Sequence, residues 1–207
     1  VRNTNNPGAC GSRNLGANLA HHEWLALLDD DDDWDQSYLE TVAKLARSAP
    51  ADFYVTSIAE MRNGKRSKIR QAIDGITNVN AFEQSGIMTG SNVVISKAAY
   101  NDVGGFDPSV KVNNDWDMFF RLVSAGKLYR AIATPLVYWR HHSGERIATE
   151  TLRRAEGLEF FVDRYEHEMP DKLRTELLAI ASKIRRTHAS GIGDKISIYI
   201  AYLREVS

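Results

Sequence analysis

The chain has 207 residues, 43% hydrophobic and 26% charged, with a formal net charge of −1. That balance suits a globular chain with room for one sizeable domain and an appendage, and it excludes a global basic field for nucleic acid. No apolar run approaches the roughly 20 residues needed to span a bilayer, and the opening stretch VRNTNNPGAC lacks the apolar core of a signal peptide. The single cysteine, Cys10, allows no internal disulfide, fits a reducing compartment and reads as a small buried residue.

In chain order, Ala9 to Ala20 is rich in small residues, with Leu15 and Leu19 at helical spacing, and predicts a short, closely packing helix. Trp24-Leu25-Ala26-Leu27-Leu28 is a continuous apolar run of strand length, as in a central parallel strand covered on both faces. Ser37 and Glu40 have the spacing of a capping box, and Tyr38, Val42 and Leu45 form one face of the helix that follows. Asp52 to Ile58 predicts a strand, and the polar, basic residues 62–80 a loop or hairpin excursion. Ser91 to Ser96 predicts another strand, followed by a short helix over Lys97 to Val103 that Gly104-Gly105 stops. Trp116, Phe119, Phe120 and Val123 recur at helical spacing, with Gly126 as the stop, and Leu128 to Arg140 reads as extended.

This alternation predicts an α/β fold with a mostly parallel sheet. From Thr149 the pattern is helical only: Leu158, Phe161, Val162 and Tyr165 make one stripe, and Leu173, Leu177, Leu178 and Ile184 another. Pro170 and the Gly191–Gly193 turn divide this region. The expected organisation is a domain over 1–148 and a helical C-terminal extension over 149–207.

The strongest chemical signal is LLDDDDDW, Leu27 to Trp34. Two unit charges ~4 Å apart repel by about 1 kcal/mol in water and about 4 kcal/mol at an effective dielectric near 20. Acid runs are usually solvated and disordered. This one starts at the end of a strand and closes on Trp34 and a helix, the place where open α/β sheets bind ligands. A divalent cation would relieve the repulsion, and carboxylates suit Mn²⁺ or Mg²⁺.

The stretch RNLGANLAHHEWLALLDDDDDWDQSYLE resembles the inverting family 2 glycosyltransferases of GT-A fold. Arg13 and Asn14 match that family's Arg-Asn pair, Asp29 and Asp31 its Asp-x-Asp pair, and Asp32 the acid that follows. The resemblance implies transfer of a sugar from a nucleotide-diphosphate sugar to an acceptor hydroxyl with Mn²⁺ or Mg²⁺. It implies Asp31 and Asp29 as metal ligands, with Arg13, Asp29 and Asp32 on the donor side. MTGSNVVISKAAYNDVGGFDPSV, Met88 to Val110, resembles the family's next segment and adds Gly90 and Ser91 to the pocket lining.

NNDWDMFFRLVSAG resembles the family's Glu-Asp-x-Asp-Leu-x-x-Arg-Leu segment, with Asn114 in place of the Glu. It makes Asp115 the expected catalytic base and Asp117 the second candidate. A plain helix cap is the alternative use of Asp115, and a structural salt bridge the expected role of Arg121. LVYWRHHSGERIA resembles the family's Tyr-Arg-x-His ending, which gives Arg140 to the donor and His142 to the metal or the diphosphate. His21 and His22 read as surface.

The resemblance covers roughly residues 1–148, with Val1-Arg2-Asn3-Thr4 like the family's third strand and no counterpart of its base-binding strands. The chain alone is therefore expected to be inactive or nearly so, and to self-associate or belong to a longer chain. The expected acceptor is a saccharide or lipid-linked saccharide, no nucleic-acid partner is expected, and the setting is cytoplasmic or peripheral at the inner membrane face, in bacterial surface polysaccharide synthesis. A catalytically incomplete GT-A-like binding module and a nucleotidyltransferase are the competing classes. The second would be marked by a glycine-rich phosphate loop with a following lysine, and the sequence has none.

Overall fold

The computed structural model describes residues 3–5, 8–84, 86–140 and 151–206. The chain divides into two compact units, one of Val1–Pro108 with Asp115–Ser143 and one of Ser109–Asn114 with Gly144–Ser207.

Unit one runs α1 (Ala9–Leu19), β1 (Trp24–Ala26), β2 (Asp32–Trp34), α2 (Tyr38–Ser48), β3 (Phe53–Arg62), β4 (Lys65–Arg70), β5 (Val93–Ser96), α3 (Lys97–Asp102), α4 (Asn114–Ser124) and β6 (Tyr129–Arg140). The strands form one sheet in the order β1-β5-β3-β6-β2, with β4 also paired to β3. The spine is β3, whose first eight residues are buried. Its side chains alternate between two layers. Tyr54 and Ile58 pack with Tyr38 and Val42 of α2, and with Val94, Ile132, Leu136 and Val137. Phe53 stacks on Tyr129 at 5.3 Å and meets Phe119 of α4 edge-on at 6.2 Å. Each such large apolar side chain contributes about 1.5–3 kcal/mol on burial.

The α/β class and the helical C-terminal region agree with the sequence reading; the mostly parallel sheet does not. Among the described residues only β3 and β6 run parallel, and the other four pairings are antiparallel. Parallel neighbours need a long, usually helical crossover, which α3 and α4 supply between β3 and β6 alone. The β3–β4 connection is instead a two-residue turn with Asn63 and Gly64 at φ 49° and 74°, the left-handed pair that tight hairpins require. Nor is Trp24–Ala26 a central covered strand: β1 stands at one end of the sheet order, with only Leu25 of its three residues buried.

Helix boundaries follow their punctuation. Gly104, Gly105 and Gly126 take φ of 76°, 69° and 70° at the ends of α3 and α4. The capping box at Ser37 does not form. Asp35 Oδ1 accepts from both the Ser37 backbone N–H and its hydroxyl, at 2.9 and 2.7 Å, and Glu40 pairs with Lys44. Asn3 and Thr4 are not in a strand, and Val1 and Arg2 lie outside the described residues.

Unit two contains α5 (Leu152–Arg164), α6 (Asp171–His188) and α7 (Ile192–Val206). Thr151 caps α5 by accepting from the Arg154 N–H. Leu158, Phe161, Val162 and Tyr165 are buried, as are Leu177, Leu178 and Ile184, while Leu173 is half-buried. Arg185 joins α6 to α5 through two 2.6 Å bonds to Glu159. By contrast, α7 buries none of its residues.

Candidate active site

The acidic turn leaves β1 and enters β2, closed by the Asp32 N–H on the Asp29 carbonyl at 3.2 Å. Ser91, fully buried just before β5, holds it from behind. The Ser91 hydroxyl donates to Asp32 Oδ2 at 2.6 Å and accepts from the Asp29 N–H at 3.1 Å. Its carbonyl accepts from Trp34 Nε1 at 2.7 Å, and Trp34 stacks on Tyr38 at 4.4 Å. One carboxylate oxygen each of Asp29, Asp31 and Asp32 lies within 4.8 Å of the others. Burial, and then the Asp31 and Asp29 charges, push the Asp32 carboxyl up to about 6 against the bond from Ser91. Three hard oxygen donors converging under mutual repulsion fit Mg²⁺ or Mn²⁺. Asp30 and Asp33 are exposed, and Asp33 forms a rim ion pair with Arg140 at 3.2 Å.

From α1, Arg13 Nη2 donates to Asp29 Oδ1 at 2.6 Å, and its guanidinium lies 4.9 Å from the centre of the Phe106 ring. The backbone of Gly90 passes so close that a Cβ there would overlap both the Arg13 guanidinium and the Asp29 carboxylate. Asn14 takes a scaffolding place. Its amide donates to the Phe106 carbonyl at 2.7 Å, and its oxygen accepts from the Phe106 N–H and the Tyr100 hydroxyl. The Arg-Asn dipeptide thus holds the acidic turn with one residue and the Gly-Gly-Phe turn with the other.

Asp115 is half-buried in the first turn of α4, with Oδ1 accepting from the Trp116 N–H at 3.0 Å. Burial raises its carboxyl above the ordinary value, while the Arg13 guanidinium pulls it down and Asp29 pushes it up. Asp115 is thus within electrostatic reach of both Arg13 and Asp29. Asp117 is fully buried and bound by Arg121 at 2.6 Å. Arg121 also donates to the Val103 and Gly105 carbonyls. The second base candidate therefore serves the turn after α3 through the expected salt bridge.

At the end of β6, Arg140 Nε donates to the Asp31 carbonyl at 3.1 Å, and the Arg140 N–H approaches Asp32 Oδ1 at 3.4 Å. His142 lies outside the described residues. Asn92, not singled out from the sequence, is fully buried, accepts from the Thr89 N–H and donates to the Thr56 and Ile87 carbonyls, fixing the segment that presents Gly90 and Ser91. Its place immediately before an apolar strand was the available signal.

The family model described as glycosyltransferase like family 2 matches residues 2–172. The chain belongs to this family. An uncharacterized glycosyltransferase of Haemophilus influenzae is 26% identical over 172 residues, covering 80% of this chain and 58% of the relative. The uncharacterized glycosyltransferase YwdF of Bacillus subtilis is 24% identical over 144 residues, covering 68% and 53%. The chain thus spans less than two thirds of the length of these relatives. Among solved structures, S. aureus TarS 1-349 in complex with UDP-GlcNAc is similar with a TM-score of 0.63 at 15% identity, over 99% of this chain and 63% of TarS 1-349. A second structure of S. aureus TarS 1-349 gives 0.60 at 15% identity, over 98% and 60%. This likeness establishes the fold as that of the GT-A glycosyltransferases. No described helix is long and apolar enough to cross a membrane.

Proposed function

We propose that this family 2 member transfers a sugar, with inversion, from a nucleotide-diphosphate sugar to an acceptor hydroxyl. The observation that carries the reading is the convergence of the Asp29, Asp31 and Asp32 carboxylates beside Arg13, with Asp115 close enough to feel both Arg13 and Asp29. Asp29 and Asp31 would hold Mn²⁺ or Mg²⁺, with Asp32 beside them. When bound, the metal supplies positive charge against the departing diphosphate. Arg13, Gly90, Ser91 and Arg140 shape the donor side. Arg13 fixes the Asp29 carboxylate, Gly90 leaves room for that pair, Ser91 fixes Asp32, and Arg140 adds a cation at the rim.

Inversion requires a base on the face opposite the leaving group, taking the acceptor hydroxyl's proton as its oxygen attacks the anomeric carbon. Asp115 fills that role: a carboxyl raised by burial is a better proton acceptor than an exposed one. Residues 1–148 form the catalytic domain in this reading, and 149–207 a helical extension. The TarS complex with UDP-GlcNAc supports a UDP-linked sugar as the first donor to test. A saccharide or lipid-linked saccharide acceptor, surface polysaccharide synthesis and a cytoplasmic setting belong to the same proposal.

The test is a thermal melt with and without millimolar Mn²⁺ and UDP, followed by a transfer assay. Binding to the folded state alone stabilises by about 2.7 kcal/mol at a hundredfold excess over Kd. The expected result is a raised Tm in the native chain and no metal-dependent shift in Asp31→Ala. A native chain whose Tm ignores the metal would sink the metal assignment.

A further inference from the structure

The last helix of unit two has a use that sugar transfer does not call on. Along α7, Ile192, Ile196, Tyr199 and Leu203 recur at positions i, i+4, i+7 and i+11, and are 78%, 54%, 44% and 44% exposed. Ile200, also 44% exposed, widens the stripe. Such a row marks the apolar face of an amphipathic helix. Where α7 packs on α6, a shallow open cleft of about 680 Å³ is lined by Lys183, Arg186 and Thr187 from α6 and by Ile192, Lys195, Ile196 and Tyr199 from α7. Three cations line it and no carboxylate does. The Arg186 guanidinium lies 5.1 Å from the centre of the Tyr199 ring, so its charge stands directly against the apolar stripe.

We propose that the α6–α7 face docks on an anionic lipid surface, with the α7 stripe inserted among the acyl chains and Lys183, Arg186 and Lys195 at the headgroup phosphates. A helix that combines an apolar face with flanking cations lies in the plane of a bilayer interface, and its binding grows with buried apolar area and with anionic lipid. The charge pattern selects this occupant. A second copy meeting the same patch by two-fold symmetry would bring a second set of the same cations, Arg186 and Lys195 among them, to the contact, and no carboxylate lines the cleft. Anionic headgroups complement this basic rim while the acyl region takes the stripe. The proposal rests on unit two alone, so it stands or falls independently of sugar transfer.

Flotation of the whole chain with lipid vesicles tests it. One vesicle set is phosphatidylcholine alone; the other is an equal mixture of phosphatidylcholine and phosphatidylglycerol. The chain is expected to float with the mixture and not with phosphatidylcholine. Binding should weaken as salt rises from about 0.1 to about 1 M, because the screening length falls from about 10 to about 3 Å. Each cation at such a surface is worth about fivefold, so K183Q/R186Q/K195Q should lose about a hundredfold in partition. Leu203→Ser should weaken binding at unchanged salt dependence. All four positions are on the surface of α6 and α7, and the native chain's lipid and salt dependence tests the proposal without any variant. Equal flotation with both vesicle sets, none with the mixture, or full binding by the triple variant would overturn it. So would a dimer in light scattering that Leu203→Ser dissociates, which would assign the stripe to a second copy.

Discussion

Two aspartate pairs in unit one share the same spacing and end in opposite circumstances. Asp29 and Asp31 flank a turn between strands, and their carboxylates converge with that of Asp32. Asp115 and Asp117 lie in the first turn of α4, where residues two apart point about 200° away from each other. One consequently feels the charges of Arg13 and Asp29, while the other is buried against Arg121. An Asp-x-Asp spacing gathers charge on a turn and separates it on a helix. The element decides which acids can act together.

The sharpest way to break this contrast is Asp115→Asn. The amide keeps an acceptor for the Trp116 N–H but is no base, and general base catalysis is worth about 10²–10⁴-fold. Turnover, followed as nucleoside diphosphate release, should fall by that factor with donor affinity and Tm nearly unchanged. Asp117→Asn should do the reverse. Removing one partner of a buried ion pair destabilises by about 3 kcal/mol, so denaturant melts should shift while the remaining folded chain keeps its turnover. Equal loss of turnover in the two variants would erase the distinction.

Gly90→Ala probes the turn from behind. The new methyl meets the ends of two side chains rather than backbone, so Arg13 and Asp29 should separate at little loss of stability. Metal and donor affinity, measured by calorimetry, should then fall by about tenfold, as when a group supporting a metal ligand is lost. Unchanged affinity would show that the Arg13–Asp29 pair is not needed.

The smallest effect is one of pH. Asp32 titrates near 6 in the folded chain against an ordinary 3.8, so the fold holds more protons than the unfolded chain between those values. Stability from this group is present below about pH 4 and is lost as pH rises through 6. In chelator, Asp32→Asn escapes that loss. Its Tm relative to the native chain should climb between pH 4 and 6 and level off above. A difference that stays flat across this range would refute the Asp32 assignment.

What the sequence revealed depended on how local each signal was. The glycine stops at Gly104, Gly105 and Gly126 and the apolar stripes of α4, α5 and α6 are fixed by a few neighbouring residues, and they read correctly. The acidic turn was legible because five carboxylates in a row need a reason to be together. Sheet direction was not, because β1 and β2 are three residues each and their partners are remote in sequence. The cap at Ser37 failed on a competing bond from Asp35, two residues away and invisible to a pattern that looks only forward. Ser91 was read as a pocket-lining residue, and its grip on Asp32 from 59 positions away required the fold.

The parallel seam between β3 and β6 has a consequence during synthesis. The β3–β4 hairpin turns on Asn63-Gly64 and can close in about 1–10 μs once it leaves the ribosome. Its other flank must wait for Tyr129–Arg140, and at about 5–20 residues per second that delay lasts several seconds. Throughout the interval the strand with the longest buried run in the sheet carries an unpaired edge, the template from which neighbouring nascent chains aggregate. The strand that organises the finished fold is therefore the one most in need of protection while the chain is being made.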